Sequence, residues 1–214
     1  MLIETLMLRN QSIGLLAILA CLICGGFCFA QTQPDRGLIA VEKDGKSGFI
    51  DHAGKVVIPF QFDQAYDFHE GLALVIVHGK KSFIDPTGRI LFEAKYDIIR
   101  DFSEGLCAVN IGEKRIPNIG LISDPGKWGY IDKTGKVVIH PQFYDARPFS
   151  EGLAAVEVED VGWGFIDKTG QMVIKPKFNC AEDFFDGLAR IEVCDEYSYL
   201  VGYVNRKGNY VWKK

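Results

Sequence analysis

One short pattern recurs along most of the chain. An aromatic-Ile-Asp triplet begins at residues 49, 83, 130 and 165, and each is followed 22 residues later by a Gly-Leu pair. Another Gly-Leu pair at Gly37 precedes the series, and a degenerate triplet at Tyr203 ends it. Self-similarity at about 34 residues is typical of tandem arrays of one small unit. Such a unit cannot bury enough surface to fold alone, so its stability must come from its neighbours.

Each unit is predicted to contain three short β-strands. In the first strand small or β-branched residues alternate with polar ones, which is typical of a half-buried strand. In the fifth unit, for example, Ala189, Ile191 and Val193 alternate with Arg190 and Glu192. Leu74 departs from this alternation in the second unit and is either covered by a neighbouring unit or part of an exposed apolar patch. The third strand is continuously apolar, as in Val137–Ile139, which predicts that both of its faces are covered.

An Asp-x-x-Gly motif separates the second and third strands of four units. The aspartate carboxylate can accept a hydrogen bond from the backbone N–H two residues on, and the glycine can adopt the positive φ that ends a type I turn. The rival interpretation, catalytic acids or calcium ligands, lacks the further oxygen ligands that a calcium loop needs. We therefore interpret these residues as structural turns: Asp51, Gly54, Asp85, Gly88, Asp132, Gly135, Asp167 and Gly170.

Aromatic residues occupy two constant phases in the connections between units. They are interpreted as plugs between adjacent units, with a sugar-stacking ladder as the functional rival. An acid precedes each internal Gly-Leu pair and either caps the glycine turn or only solubilises it. The two aromatic sets are Phe62, Tyr96, Phe143 and Phe178, and Phe68, Phe102, Phe149 and Phe184; the acids are Glu70, Glu104, Glu151 and Asp186.

These patterns predict an all-β fold of five three-stranded antiparallel units. The predicted repeat domain covers residues 37–214, with units near 37–70, 71–104, 105–151, 152–186 and 187–214. An open, twisted array is expected, because no closing unit shared between the two ends is evident. A closed five-bladed propeller is the alternative.

The first thirty residues are typical of a secretory signal peptide. Arg9 precedes an uncharged, mostly apolar stretch that ends at Ala30 and is followed by polar residues. We expect cleavage after Ala30, a short linker over 31–36, and export to the periplasm, cell surface or medium. Two alternatives stay open: residues 13–30 are retained as a membrane anchor, or Cys21 marks a lipoprotein signal.

Charge and cysteine content exclude some partners. The chain has a formal net charge of −4, and the predicted leader contributes one residue of each sign. A mildly acidic surface argues against nucleic acid and against charge-driven membrane binding, leaving a membrane tether only through the N-terminal segment. After cleavage three cysteines remain. Cys107 is expected to be a small buried residue. Cys180 and Cys194 both lie in the last unit, and the sequence leaves open whether they form a disulfide.

The fullest copy of the pattern resembles a known family. The stretch Lys127–Ile139, followed by Pro141–Phe143 and Phe149–Ala154, is similar to the bacterial WG-repeat family, and Gly162–Asp167 matches almost as well. The resemblance covers residues 37–214. It implies a β-repeat scaffold that is often exported or joined to other domains. It implies no shared catalytic activity and transfers no site residues.

We find no sequence signature of catalysis. The four histidines occupy four different phases of the repeat, none at a metal-ligand spacing, and no nucleophile elbow or phosphate loop is present. The expectation is a protein that is not an enzyme and binds no cofactor or metal. A hydrolase site assembled across units is the third and weakest hypothesis.

Breaks in the repeat symmetry are the better guide to function. The third unit carries an insertion near 113–126, and the fifth a smaller one near 195–200; insertions in arrays often map to a binding face. The insertion is either an adhesive projection or a longer hairpin without a role. The first hypothesis is a binding or scaffold module for a protein or cell-envelope polymer; the alternative is carbohydrate or peptidoglycan recognition by Trp128, Trp163 and Trp212. Candidate partner-binding residues are Lys114, Arg115, Ile116, Ile119, Leu121, Tyr197 and Tyr199.

Overall fold

The computed structural model describes residues 37–115, 122–194 and 199–214, and these residues form β-strands and turns without a helix. The predicted signal peptide and linker lie outside the described residues. The strands are β1 (Ile39–Lys43), β2 (Lys46–Ile50), β3 (Val56–Phe62), β4 (Gln64–His69), β5 (Leu72–Val77), β6 (Lys80–Ile84), β7 (Ile90–Glu93), β8 (Ile98–Ser103), β9 (Leu106–Arg115), β10 (Ile122–Asp132), β11 (Val137–Phe143), β12 (Asp145–Ala146), β13 (Leu153–Val158), β14 (Gly162–Asp167), β15 (Met172–Phe178), β16 (Cys180–Ala181), β17 (Leu188–Cys194), β18 (Tyr199–Asn205) and β19 (Tyr210–Lys213).

The strands form five antiparallel sheets, each made of consecutive strands. The first sheet is β1-β2-β3, and the second to fifth are β4 to β7, β8 to β11, β12 to β15 and β16 to β19, with each strand bonded to the next. The predicted all-β array of five units is confirmed. The structure adds a fourth strand to four of the sheets, because the connection carrying the second aromatic phase pairs with the strand that follows it.

The turns between the second and third predicted strands have the expected chemistry. Asp167 Oδ1 accepts hydrogen bonds from the backbone N–H of Thr169 and Gln171 at 2.9 and 3.0 Å, and Gly170 has φ of +85°. The Thr169 hydroxyl donates to the same oxygen and is the main reason that the pKa of Asp167 lies below its usual value. Asp51, Asp85 and Asp132 make the same backbone bonds, so the turn interpretation is confirmed.

Apolar cores lie between consecutive sheets. Four clusters of buried side chains each combine residues of two neighbouring sheets. Between the fourth and fifth sheets, Phe165 and Ile174 meet Phe184 and Ile191, and the Phe165 and Phe184 rings lie 4.8 Å apart. The predicted plugs between units are therefore confirmed. No described cluster joins the first sheet to the fifth, so the array is open and not a closed propeller.

In the third and fourth units the third predicted strand contacts both neighbouring sheets, as expected: Val137 and Met172 pack on one side, and Ile139 and Ile174 lie in the core on the other. The cover is not continuous, because the residue between them is exposed. Ile174 is buried, whereas the preceding Val173 is exposed. Ile166 pairs with Met172 and Phe165 with Ile174, which leaves Val173 unpaired in a β-bulge. The extra residue of a bulge is left without a cross-strand partner and bends the strand locally, and here its side chain is exposed. Leu74, by contrast, packs against the core between the second and third sheets.

The acids before the Gly-Leu pairs connect one sheet to the next. The three glutamates each accept a hydrogen bond from the glycine N–H that opens the next unit, so they cap the neighbouring turn and do not merely solubilise their own. Burial alone would raise the pKa of Glu70, but hydrogen bonds from Lys133 and from the Gly105 backbone outweigh it and lower that pKa. The contacts are Glu70 to Gly105 at 2.8 Å, Glu104 to Gly152 at 2.9 Å and Glu151 to Gly187 at 2.9 Å, with Lys133 at 3.0 Å from Glu70 and Lys168 at 3.1 Å from Glu104.

Candidate functional site

Most of the potentially reactive or metal-binding side chains take part in the packing, hydrogen bonds or ion pairs of the scaffold. Cys107 is fully buried, as expected, and its thiol donates to the Arg100 carbonyl at 2.9 Å; burial raises the pKa of this thiol to about 12. Cys180 and Cys194 are not bonded to each other. His69 pairs with Asp101 at 3.5 Å. Within the described residues, no group of three or more potential ligands is placed to hold a metal ion.

The tryptophans are not equally available to a ligand. Trp128 and Trp163 are only 6% and 7% exposed and belong to the cores that face the next sheet. The Arg100 guanidinium lies over the Trp128 ring at 4.6 Å, a cation–π contact that further holds the ring in place. Trp212 is 51% exposed. Two of the three tryptophans in the carbohydrate hypothesis are therefore too buried to contact a ligand.

The insertion in the third unit extends a hairpin. β9 and β10 stay paired from Leu106 opposite Asp132 out to Arg115 opposite Ile122. Asp97 Oδ2 accepts hydrogen bonds from the backbone of Gly112 and Glu113 at 2.7 and 3.2 Å and so supports the hairpin part-way along. This confirms the longer hairpin; an adhesive role for it stays a prediction.

Of the predicted hairpin residues, only part lies in the described chain. Lys114 is exposed and pairs with Asp124 at 3.4 Å, and Arg115 is the last described residue of β9. Ile116, Ile119 and Leu121 lie outside the described residues, as does Tyr197 of the smaller insertion.

The outer face of the fifth sheet is a second candidate surface, which we call the end face. Ala189, Ile191 and Val204 pack against the fourth sheet, so alternation turns the residues between them outward. Arg190 lies opposite Tyr203, and Tyr203 lies opposite Trp212, so these side chains form one row across three strands. The end face consists of Leu188, Arg190, Tyr199, Val201, Tyr203 and Trp212.

The end face corresponds to surfaces that are buried in the other sheets. Tyr203 and Trp212 take the positions of Phe165 and Ile174, which are 0% and 3% exposed beneath the fifth sheet, yet they are 38% and 51% exposed. Next to them Phe185 is 84% exposed. Depressions of about 320 and 400 Å³ lie on this surface. The fifth sheet thus has exposed aromatic rings at positions that are buried in the core in the fourth sheet.

Ion pairs hold the centre of the end face. Arg190 donates to Glu182 at 3.0 Å and lies 2.6 Å from Glu192, and hydrogen bonds to these two carboxylates raise the pKa of Arg190. The Arg190 bond is also the main cause of the lowered pKa of Glu192. The pKa of the Tyr199 hydroxyl is raised by desolvation and by its hydrogen bond with Glu192. Arg190 stands where earlier sheets have leucine or alanine, at 74, 108 and 155.

Sequence reasoning found Tyr199 and Trp212 but missed Arg190 and Phe185. Each differs from the residues at its own repeat position in the other units. Phe185, for example, occupies the position at which Ser103 and Ser150 donate a hydrogen bond to a carbonyl oxygen of the next sheet. A phase-by-phase comparison of the units could have identified them without a structure.

A third candidate surface is a groove of about 230 Å³ between the second and third sheets, which we call the junction groove. Its floor is apolar, and its rim includes the exposed residues Tyr66, His69 and Asp101. The floor residues are Leu72, Leu74, Phe83, Ile98, Ile99 and Phe102.

The repeat matches a known family over residues 48–80, 82–114, 128–161 and 163–196, each the WG containing repeat. These four matches cover more than half of the chain. The chain belongs to the WG-repeat family. In this WG-repeat protein the glycine of the motif has a steric role: a Cβ at Gly129 would lie 2.5 Å from the Ile139 carbonyl oxygen, so the third strand crosses too close for any side chain.

Solved structures with a similar fold are remote. The computationally designed Ika8 protein has 11% identity and a TM-score of 0.47, and BamB from Moraxella catarrhalis has 12% and 0.42; each alignment covers 83% of this chain and 57% of the other. The designed Ika4 protein has 12% identity and a TM-score of 0.40, with 64% of this chain and 87% of that chain covered. Because these scores lie below 0.5, the likenesses carry no functional conclusion. No curated protein matches the chain.

The chain therefore spans little more than half the length of the first two structures that it resembles. In the part of the chain that the structure describes, no helix has the length and apolar character needed to cross a membrane.

Proposed function

We propose that this WG-repeat protein is an exported, non-enzymatic binding or scaffold module that engages a protein or cell-envelope partner through its end face. Three observations support the proposal: the signal-like segment at 1–30, the use of most polar groups by the scaffold, and the exposure of the fifth sheet. The last of these carries it. A surface that is core in the fourth sheet carries exposed aromatic rings in the fifth.

The composition of the end face fits a protein partner. Tyrosine, tryptophan and arginine are the residues most enriched at interface hot spots. Tyr203 and Trp212 offer large, stiff contact areas, and their ring centroids lie 6.1 Å apart. Arg190 is already paired with Glu182 and Glu192, so binding would not leave an isolated charge buried. Solubility alone would favour a polar outer face, which does not explain Trp212 or Phe185.

Crosslinking in the native envelope followed by recovery of the tagged full-length chain tests this proposal. The double change Tyr203→Ser and Trp212→Ser should reduce recovery of the partner at least about tenfold, since hot-spot residues each contribute about 2 kcal/mol or more. The matched control is Val173→Ser, an apolar residue of similar exposure in the fourth sheet. Undiminished recovery with the double variant would reject the end face as the site.

The extended hairpin is the rival contact surface for the same function. Replacing residues 115–123 by a two-residue Asn-Gly turn closes the hairpin at Lys114 and Asp124, which already face each other, and should keep β9 and β10 paired, because the Asp97 contacts to Gly112 and Glu113 remain. We expect this variant to recover the partner as the wild type does. Loss of the partner here, with the end-face variant unaffected, would move the site to the hairpin.

Carbohydrate or peptidoglycan binding is the second candidate function. The adjacent, exposed Tyr203 and Trp212 rings favour it, because flat aromatic surfaces suit the apolar face of a sugar ring, with Arg190 and its carboxylates beside them for hydroxyl groups. Sedimentation with purified, protein-free cell wall separates the two candidates. Binding to the wall that is lost with Trp212→Ser supports the carbohydrate; no sedimentation leaves the protein partner.

Export is tested at the N-terminus. Mass spectrometry of the chain purified from its native source should find Gln31 as the first residue. An intact N-terminus would instead support a retained anchor over 13–30, and a lipid on Cys21 would support the lipoprotein alternative.

A further inference from the structure

The junction groove lies where the WG repeat normally places an indole. In the third and fourth sheets, Trp128 and Trp163 point towards the next sheet and are buried in the cores between sheets. The same phase in the second sheet is Lys81, and Lys81 lines the groove. The groove is therefore the tryptophan position of a unit that has no tryptophan.

Three residues that line the groove correspond to residues that surround Trp128. Trp128 shares its core with Leu106, Tyr130 and Phe149. Their counterparts one unit earlier are Leu72, Phe83 and Phe102, and all three line the groove. Because these three residues are of the types that surround the Trp128 ring, the space between them is chemically suited to an aromatic ring.

Neither Lys81 nor Leu74 fills that space. The Lys81 ammonium donates to the Tyr96 and Asp97 carbonyl oxygens at 3.1 and 2.5 Å, which draws the end of the side chain away to the start of β8. Leu74 is larger than its counterpart Ala108 and takes part of the volume. About 230 Å³ remains open above the apolar floor.

We propose that the junction groove binds an aromatic side chain, tryptophan or tyrosine, presented by a partner protein. The ring would stand in the groove as Trp128 stands in the next junction, and this surface is separate from the end face. A whole small molecule is the less suitable occupant, because ligand pockets usually enclose about 300–1,000 Å³, whereas this groove is smaller and open on one side. A single anchor residue on a peptide requires only such a space.

The rim adds polar selectivity. Asp101 is exposed and contacts only His69, at 3.5 Å, among its ion pairs in the described chain. Its carboxylate can accept the N–H of an indole or the O–H of a phenol at the mouth of the groove. An aliphatic side chain would fill the floor but leave this acceptor to water, so aromatic rings with a donor are favoured over leucine.

Fluorine NMR of the full-length chain with 5-fluoroindole, and proton NMR with N-acetyl-tryptophanamide, tests the proposal. Both probes should bind the wild type. Lys81→Trp places the chain's own indole in the groove and should weaken both probes at least about tenfold. Lys55→Trp makes the same chemical change at an exposed turn residue and should leave both affinities unchanged.

A second variant guards against misfolding of Lys81→Trp. Leu74→Ala restores the alanine found at 108 and 155, enlarges the groove and should tighten 5-fluoroindole binding at least about threefold. The proposal is overturned if neither probe binds the wild type, if a folded Lys81→Trp binds them as well as the wild type, or if Leu74→Ala binds them no better. N-acetyl-leucinamide binding as tightly as the tryptophan probe would reject the aromatic selectivity.

Discussion

The packing between sheets can be tested by truncating the residue at the same repeat position in two sheets. Phe165 and Tyr203 occupy the same position, but Phe165 is fully buried against the fifth sheet and Tyr203 has no sheet over it. Phe165→Ala should cost about 3–5 kcal/mol, as truncation of a buried phenylalanine does. Part of that loss is the contact with the Phe184 ring, since aromatic pairs contribute about 0.5–1.5 kcal/mol beyond their area. Tyr203→Ala should cost about 1 kcal/mol or less.

Urea unfolding followed by circular dichroism measures both losses. The free energy of unfolding should differ between the two variants by at least about 2 kcal/mol. Because arrays can unfold in more than one step, the transition that includes the fourth and fifth sheets is the one to compare. If Phe165→Ala does not fold, Phe165→Leu should show a smaller loss in the same direction. Equal losses at Phe165 and Tyr203 would refute the reasoning, because they would mean equal burial.

Three further predictions follow from single contacts. Gly129→Ser should cost about 1–3 kcal/mol in urea unfolding because its Cβ would meet the Ile139 oxygen, while the reverse change Ser82→Gly should cost under about 1 kcal/mol; equal costs would contradict this. In native protein, mass spectrometry after iodoacetamide should find Cys194 modified and Cys107 unmodified, since burial raises the pKa of the Cys107 thiol to about 12. Because hydrogen bonding holds the folded pKa of Glu70 below its ordinary value, Glu70 stabilises the fold above that value and the contribution disappears as pH falls. The stability difference between wild type and Glu70→Gln should therefore shrink below about pH 4.3; a constant difference from pH 7 to 3 would contradict it.

The sequence predicted the features that are local or strictly periodic. The Asp-x-x-Gly turns were predictable because Asp167 and Gly170 make their bonds within five residues. The aromatic plugs were predictable because their phase is constant and a ring in constant phase must meet a constant environment. Burial of Cys107 followed from the alanines that share its phase.

Features that depend on neighbouring strands were not predictable in the same way. The fourth strand was missed because β12 is only two residues long and has no alternation to detect. The exposure of Val173 was missed because an apolar run does not reveal a bulge. The junction groove follows from the absence of tryptophan at Lys81, which the sequence shows. Its remaining volume depends on the direction of the Lys81 side chain and the size of Leu74, which only the coordinates show.

The candidate site shows the same division. Tyr199 was identified from the sequence as part of the insertion in the fifth unit, and Trp212 as a candidate aromatic for carbohydrate recognition. Arg190 and Phe185 were not, since each looks ordinary until it is compared with its counterparts in other units. The exposure of the end face is a structural finding: Tyr203 and Trp212 are exposed, whereas Phe165 and Ile174 at the same repeat positions are buried.

Residue-resolved hydrogen exchange on the native full-length chain tests most directly the claim that each sheet is stabilised by the sheets on both sides. Amides of the second, third and fourth sheets, such as those of Tyr130 and Phe165, should exchange slowest, because cores lie on both faces of these sheets. Protection should decrease towards the first and fifth sheets, including Val41 and Tyr203. Uniform protection across all five sheets, or slowest exchange in a terminal sheet, would contradict the account.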